Sequence, residues 1–299
     1  MHNRSTPPIS LCVPFVHRSD ELRTLLRSLP DGVKEVVIAD NGELNDPIPT
    51  DVHTAAAIEH MDLSSDSGIG AARRAAADAA THEYLLVTDV DMVIPKSIHV
   101  LIDLLEQRER LGGAGGILIE HGELRSGCTD FYDRSLLSGK RVLVQNITDE
   151  AEFEWAAGIP FARFDKLANC MVIRNECVED YSWDPNANEE AHLDWFVGQW
   201  KETEWEFAVC PEVIFKHNPS RSPVYRSRFR QPIKNRSSSD RRQFCAKWGY
   251  ADIVWENTQW FGTDRRPLLE RLYKETARRF PTKYTYPIKR VVERVIRHG

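Results

Sequence analysis

The chain has 299 residues, 41% of them hydrophobic and 28% charged, with a net charge of −6. That much apolar surface offsets the ordering entropy of a large folded domain, which excludes a disordered chain. No run of about 18 apolar residues occurs, which excludes a membrane-spanning helix, and six cysteines scattered without a C-x-x-C pair exclude a disulfide frame or zinc site.

Taken in chain order, the first two-thirds alternates strand-like and helix-like stretches, the pattern of an α/β sandwich. The opening residues lack an apolar h-region, so a cytoplasmic location is expected. Residues 9–16 (ISLCVPFV) predict a buried strand, and 19–29 a helix with leucines at 22, 25, 26 and 29. Residues 33–40 (VKEVVIAD) predict a second strand, stopped by the turn signal Asn41-Gly42. An alanine-rich helix follows over 69–81, and then a strand over 83–88 (EYLLVT). That strand delivers Asp89 to its carboxyl end, the edge at which open α/β sheets bind ligands.

Beyond it the sequence predicts a helix over 97–111, strands at 115–120, 141–145 and 168–173, a helix from 189 to 200 and a strand at 205–210. Residues 218–239, rich in Ser, Pro and Arg, read as a loop or linker, followed by helices over 239–248, 266–279 and 287–298. Charge divides the chain in the same place. Residues 221–299 carry +13 and the remainder −19, which predicts a domain over 1–220 and a basic, mainly helical extension over 221–299.

Four segments carry chemistry. In TDVDMVIP (88–95), Asp89 and Asp91 follow an apolar strand and can converge on a hard cation such as Mg²⁺ or Mn²⁺. In DSGIGAARRAA (66–76), glycines precede a helix whose free N–H groups favour an anion, with Arg73 and Arg74 in its first turns. In WDPNANEEAHLDWFVGQW (183–200), Glu190 and Asp194 lie four residues apart on one helix face, beside His192. In VCPEVIFKHNP (209–219), His217 follows an apolar strand and can bring an imidazole to the same cation.

In this order the segments resemble the GT-A fold glycosyltransferases of the family 2-like group, over about residues 9–219, with a weaker echo at RRQFCAKWG (241–249). The stretch 168–217 is similar to β1,4-N-acetylgalactosaminyltransferases. The resemblance implies a GT-A α/β/α sandwich with a helical C-terminal extension, and a nucleotide-sugar donor, usually a UDP-sugar, used with Mn²⁺ or Mg²⁺. It implies that Pro14, Phe15 and His17 line the nucleotide pocket and that Asp40 faces the base. Gly70 and Arg73 would lie against the nucleoside and diphosphate, and Asp89 would reach the ribose and the metal shell. Asp91 and His217 would bind the cation, and Asp194 would be the general base. Glu43 stands where relatives of this group carry a serine after Asn41-Gly42, and Leu193 where many carry the acid before the catalytic aspartate.

The expected chemistry is a single displacement with inversion, onto a glycan or lipid-linked acceptor hydroxyl. Residues 288–297 set five aliphatic side chains opposite Lys289, Arg290, Arg294 and Arg297; the stretch 287–298 would lie on anionic lipid or dock on the protein body. Two other classes stay open. A nucleotidyltransferase would carry a glycine- and lysine-rich phosphate loop where this chain has VPFVHRSDEL, and an inactive nucleotide-sugar-binding module would not need Asp89, Asp91, Asp194 and His217 together. No nucleic-acid-binding module is recognisable, so no nucleic-acid partner is expected.

Overall fold

The computed structural model describes residues 7–42, 48–49, 51–52, 54–64, 67–147, 152–220, 223, 225, 227 and 231–256, of which 231–237 are described as helical backbone alone. The helices expected over 266–279 and 287–298 lie outside the described residues.

Parallel pairing dominates the first half. Strands β1 (Ile9–Phe15), β2 (Val33–Asp40), β3 (Ala57–Asp62) and β4 (Tyr84–Thr88) lie in the order β4-β1-β2-β3, all parallel. Helix α1 (Ser19–Arg27) connects the first two strands and α2 (Ile69–Ala79) leads into β4. Side chains alternate along β1 as a pleated strand requires: Leu11, Val13 and Phe15 face one apolar layer, Cys12 the other. The first layer is covered by α1 and by α3 (His99–Glu106), the second by the small alanine face of α2, with Ala72 and Ala76 fully buried. This is the α/β/α sandwich that the alternating pattern predicts.

The sheet then continues antiparallel. After the two-residue β5 (Met92–Val93), β6 (Leu111–Glu120) is followed by β7 (Glu123–Arg125). Strands β8 (Asp130–Ser135) and β9 (Arg141–Asn146) leave the sheet, and β10 (Glu154–Ala156), β11 (Ile159–Arg163) and β12 (Cys170–Arg174) return to it. Strand β12 pairs antiparallel with both β4 and β6, while β13 (Glu206–His217) runs parallel to β6. Helices α4 (Asn175–Asp180) and α5 (Ala191–Glu202) lie between β12 and β13, and α5 joins the α2 layer through Trp195, Phe196 and Val197. The Trp183 and Trp195 rings stack there at 4.8 Å, a contact worth about 0.5–1.5 kcal/mol beyond area burial.

Several boundaries differ from those expected. The helix over 97–111 stops at Glu106 and Leu111 opens β6, where a Cβ at Gly113 would meet Ile173 Cγ2 at 2.8 Å: the glycine run admits side chains of neighbouring strands. Strand β13 runs on past Cys210 to His217, and Pro211 sits in the irregular stretch of its pairing with β6. Strand β3 has no apolar alternation to announce it; most of its residues are exposed on an edge. Helix α6 (Gln231–Trp248) begins within the expected loop.

Residues from the basic segment pack on the body. Phe244 and Cys245 of α6 are buried in the layer that holds Trp195, and β14 (Asp252–Trp255) adds to β9 in a three-stranded sheet, β14-β9-β8. All six cysteines are buried and free. No helix among the described residues is long and apolar enough to cross a membrane.

Candidate active site

The site forms where the sheet order reverses. Strands β2 and β4 lie on opposite sides of β1, so the chain leaves their carboxyl ends in opposite directions and opens a crevice there. Asp89 and Asp91 border it from β4; Asp40, paired in register with Phe15, borders it from β2.

Asp89 is held by two donors. Arg73 Nη2 donates to Oδ1 at 2.9 Å, and Asn169 Nδ2 donates to Oδ2 at 3.0 Å. Antiparallel register explains Asn169: its neighbour Cys170 pairs with Thr88, the residue before Asp89. Arg73 comes from α2 and is 3% exposed; its Nη1 also reaches Asn169 Oδ1 and His192 Nδ1, both at 3.2 Å. His192 Nε2 lies 2.7 Å from the Leu167 carbonyl, to which it donates, leaving Nδ1 bare to accept from Arg73. Burial first, then the cations Arg73 and Lys166, hold the His192 pKa well below its ordinary value, in keeping with a neutral ring. His192 thus joins the first turn of α5 to Asp89 through one guanidinium.

Asp91 faces a different set. Arg18 Nη1 lies 3.1 Å from Oδ2, and His217 Nε2 lies 3.6 Å from Oδ1. Strand pairing brings these groups together, since His217 of β13 is in register with Met92 and with Glu120. Glu120 Oε1 lies 3.8 Å from His217 Nδ1, on the far side of the ring, and Arg125 holds the other Glu120 oxygen at 3.1 Å. Burial pushes the Asp91 carboxyl up, but His217 and Arg18 outweigh it and leave the pKa lowered. The His217 imidazole is raised, chiefly by Asp91 and against burial.

The residues here fit a cation of the Mn²⁺ or Mg²⁺ kind in part. A carboxylate oxygen and an imidazole nitrogen face each other, and a second carboxylate behind the imidazole orients it as outer partners of metal ligands do. Among the described residues no three acidic, histidine or cysteine side chains converge as a complete shell. Asp89, expected to share the ion, points to Arg73 and Asn169 instead.

The remaining expected residues scatter around this centre. Asp40 accepts from the Gly42 amide at 3.0 Å and pairs with His60 at 3.2 Å. Pro14 and Phe15 are buried within β1, with the Phe15 ring in the apolar layer under α1 and α3. His17 takes a left-handed φ of 44° just after β1. Gly70 is closed over by the 184–187 loop: its amide bonds the Ala187 carbonyl at 3.0 Å, and a Cβ would stand 2.2 Å from the Asp184 carbonyl oxygen. Its need for glycine comes from that close approach.

Asp194 shares no hydrogen-bond partner with Asp89 or Asp91. It is 2% exposed, and both oxygens are taken: Lys247 Nζ donates to Oδ2 at 2.7 Å and Trp248 Nε1 to Oδ1 at 2.8 Å. Lys247 also holds Asp184 at 2.9 Å. Beside this knot lies a cavity of about 240 Å³ lined by Asp184, Asn186, Asn188, Glu190, Asp194 and Lys247 among others, but by neither Asp89 nor Asp91. Burial, ahead of its charged neighbours, raises the Glu190 carboxyl. Arg18, Glu120, Asn169 and Lys247 carry no signature that singles them out in the sequence.

Residues 10–125, less than half of the chain, match the family profile described as Glycosyl transferase family 2. No curated protein sequence matches the chain. Among solved structures, GalNAc-T7 with UDP, GalNAc and Mn²⁺ is similar at 12% identity and a TM-score of 0.53, over 72% of this chain and 44% of that one. The mannosyltransferase PcManGT from Pyrobaculum calidifontis, in complex with GDP-Man and Mn²⁺, is similar at 16% identity and a TM-score of 0.53, over 82% and 65%. S. aureus TarS (its residues 1–349) superposes at 15% identity and a TM-score of 0.49, over 71% and 60%. The chain therefore spans less than two-thirds of each of these structures. At such identities the likeness is one of fold, the GT-A fold.

Proposed function

We propose that this chain moves a glycosyl unit from a nucleotide-diphosphate sugar to an acceptor hydroxyl, with a divalent cation held by Asp91 and His217. The observation that supports this most is the Asp91–His217 pair, 3.6 Å apart beside the crevice where β4 and β1 diverge. The structures of GalNAc-T7 with UDP and Mn²⁺ and of PcManGT with GDP-Man and Mn²⁺ support the donor class and the ion. A UDP-sugar is the donor we favour.

When bound, the cation would neutralise charge developing on the leaving diphosphate. The chain's own residues do the rest. Arg73 and Asn169 fix both oxygens of Asp89 at the crevice wall, so that carboxylate meets the donor without having to reorganise. The 240 Å³ cavity beside α5, with its carboxylates and amides, suits a polyhydroxyl acceptor.

The acceptor proton must pass to a base. Asp194, expected in that role, is poorly placed as it stands, because it is buried and each of its oxygens is already held by a donor, Lys247 Nζ at 2.7 Å and Trp248 Nε1 at 2.8 Å. Glu190 on the same cavity wall suits it better, since burial raises its basicity. We assign Asp194 to anchoring α6. Titration calorimetry of UDP-sugars with Mn²⁺, followed by product analysis, tests the reading. A chain that binds no nucleotide sugar in the presence of Mn²⁺ would refute it.

A further inference from the structure

Each acid of the Asp89/Asp91 pair is matched with an arginine, but the two arginines differ. Arg73 is locked: its guanidinium serves Asp89, Asn169 and His192 together. Among the described residues Arg18 has one polar side-chain partner, Asp91, and its buried Nε has none. The guanidinium lies 4.4 Å from the Tyr225 ring centroid, a contact that tolerates sliding better than a fork of hydrogen bonds. It also stands just before α1, at the end of β1 that borders the crevice.

We infer that Arg18 is an internal counter-cation for Asp91, displaced when a divalent ion binds and then received by the diphosphate that arrives with the ion. This rests on the reading of Asp91 as a cation ligand. The physical argument is competition. Arg18 and Asp91 are 11% and 12% exposed, so their mutual attraction is weakly screened, and a divalent ion approaching Asp91 must overcome both that pair and the repulsion of the guanidinium. Once freed, a guanidinium fits phosphate oxygens by its planar fork. Ion and nucleotide then bind cooperatively: the ion alone meets an occupied carboxylate, while ion and diphosphate together satisfy Asp91 and Arg18 alike. Empty of donor, the site holds its acid neutralised.

The test is Mn²⁺ titration of the full chain without nucleotide, by calorimetry or by the Mn²⁺ paramagnetic resonance signal, followed by UDP titration at saturating Mn²⁺. Arg18→Gln is expected to bind Mn²⁺ alone about five- to tenfold more tightly than wild type and UDP several-fold more weakly. Arg18→Lys, which keeps the charge, is expected to bind Mn²⁺ within about threefold of wild type. Asp91→Asn in either background is expected to lose the ion. Should Arg18→Gln fail to fold, Arg18→Met, which keeps an aliphatic stem against Tyr225, is read by the same titrations. Mn²⁺ binding by the neutral variant no tighter than by wild type, or no Mn²⁺ binding by any of them, overturns the counter-cation role; unchanged UDP affinity overturns the handover to phosphate. Absence of sugar transfer alongside the expected Mn²⁺ pattern would remove the transferase reading and leave this inference standing.

Discussion

Lys247 donates to Asp194 at 2.7 Å while Trp248, the next residue, donates to the other oxygen of the same carboxylate at 2.8 Å. Two consecutive residues of α6 thus grip one buried side chain of α5. Breaking the ion pair leaves Asp194 with a single donor. Lys247→Met is expected to lower unfolding free energy by about 2–4 kcal/mol, below the full cost of a wholly buried pair because Lys247 is one-third exposed. Urea titration measures it; a change within about 0.5 kcal/mol of zero would mean the grip is incidental.

The two candidate bases separate by kinetics. Glu190→Gln is expected to reduce kcat by roughly 10²–10⁴-fold with donor affinity kept. Asp194→Asn should mainly lose stability, with activity recovering when assayed well below its melting temperature. The reverse pattern, with Asp194→Asn folded and inactive, would return the base to Asp194.

Asp91 has a distinct expected signature. Asp91→Ala should abolish both Mn²⁺ binding and the Mn²⁺-dependent part of nucleotide binding, whereas Asp89→Ala should keep ion binding and weaken donor binding. Equal loss of ion binding in both would show that Asp89 shares the ion.

Much of this site was legible in the sequence, and the reason is local. An apolar strand ending in Asp89 needs only its own residues to reach the sheet edge, and His217 follows a strand in the same way. The helix α2 announced itself by alanines. What escaped were facts about partners. Nothing in PFVHRSDEL says that Arg18 turns onto Asp91, and nothing in AHLDWF says that His192 faces Arg73 while Asp194 faces Lys247. The periodicity of α5 gives two faces without telling which one α6 covers. Composition also separated residues 221–299 from the body by charge, whereas burial of Phe244, Cys245 and Ile253 depends on tertiary packing that charge does not reveal.

Gly70→Ala tests the close approach at the start of α2. A Cβ 2.2 Å from a backbone carbonyl oxygen cannot be relieved by a rotamer, so the 184–187 loop must move. The expected cost is about 1–3 kcal/mol, read as a lower midpoint of thermal unfolding. An unchanged midpoint would show that the loop yields freely.

Asp130 gives a pH dependence with a definite sign. Its carboxyl is pushed up to about 6, first by burial and then by Asp165, from an ordinary 3.8. Between these values the folded chain holds a proton that the unfolded chain has lost, so this group favours folding more as pH falls from about 7 towards 4, by up to roughly 1.4 kcal/mol per pH unit. The wild-type gain over that window should exceed that of Asp130→Asn. Equal slopes would show that Asp130 titrates normally when folded.

The small sheet β14-β9-β8 joins Asp252 to Val142 across 110 residues of chain. Closing so long a loop costs entropy before any ladder bond repays it, so this pairing belongs to the slow, late part of folding. Strands β1 to β4 and their helices have no such dependence and can assemble as the chain emerges. Asp89, Asp91 and their partners up to His217 therefore all precede, in order of synthesis, the residues of α6 that line the cavity beside Asp194.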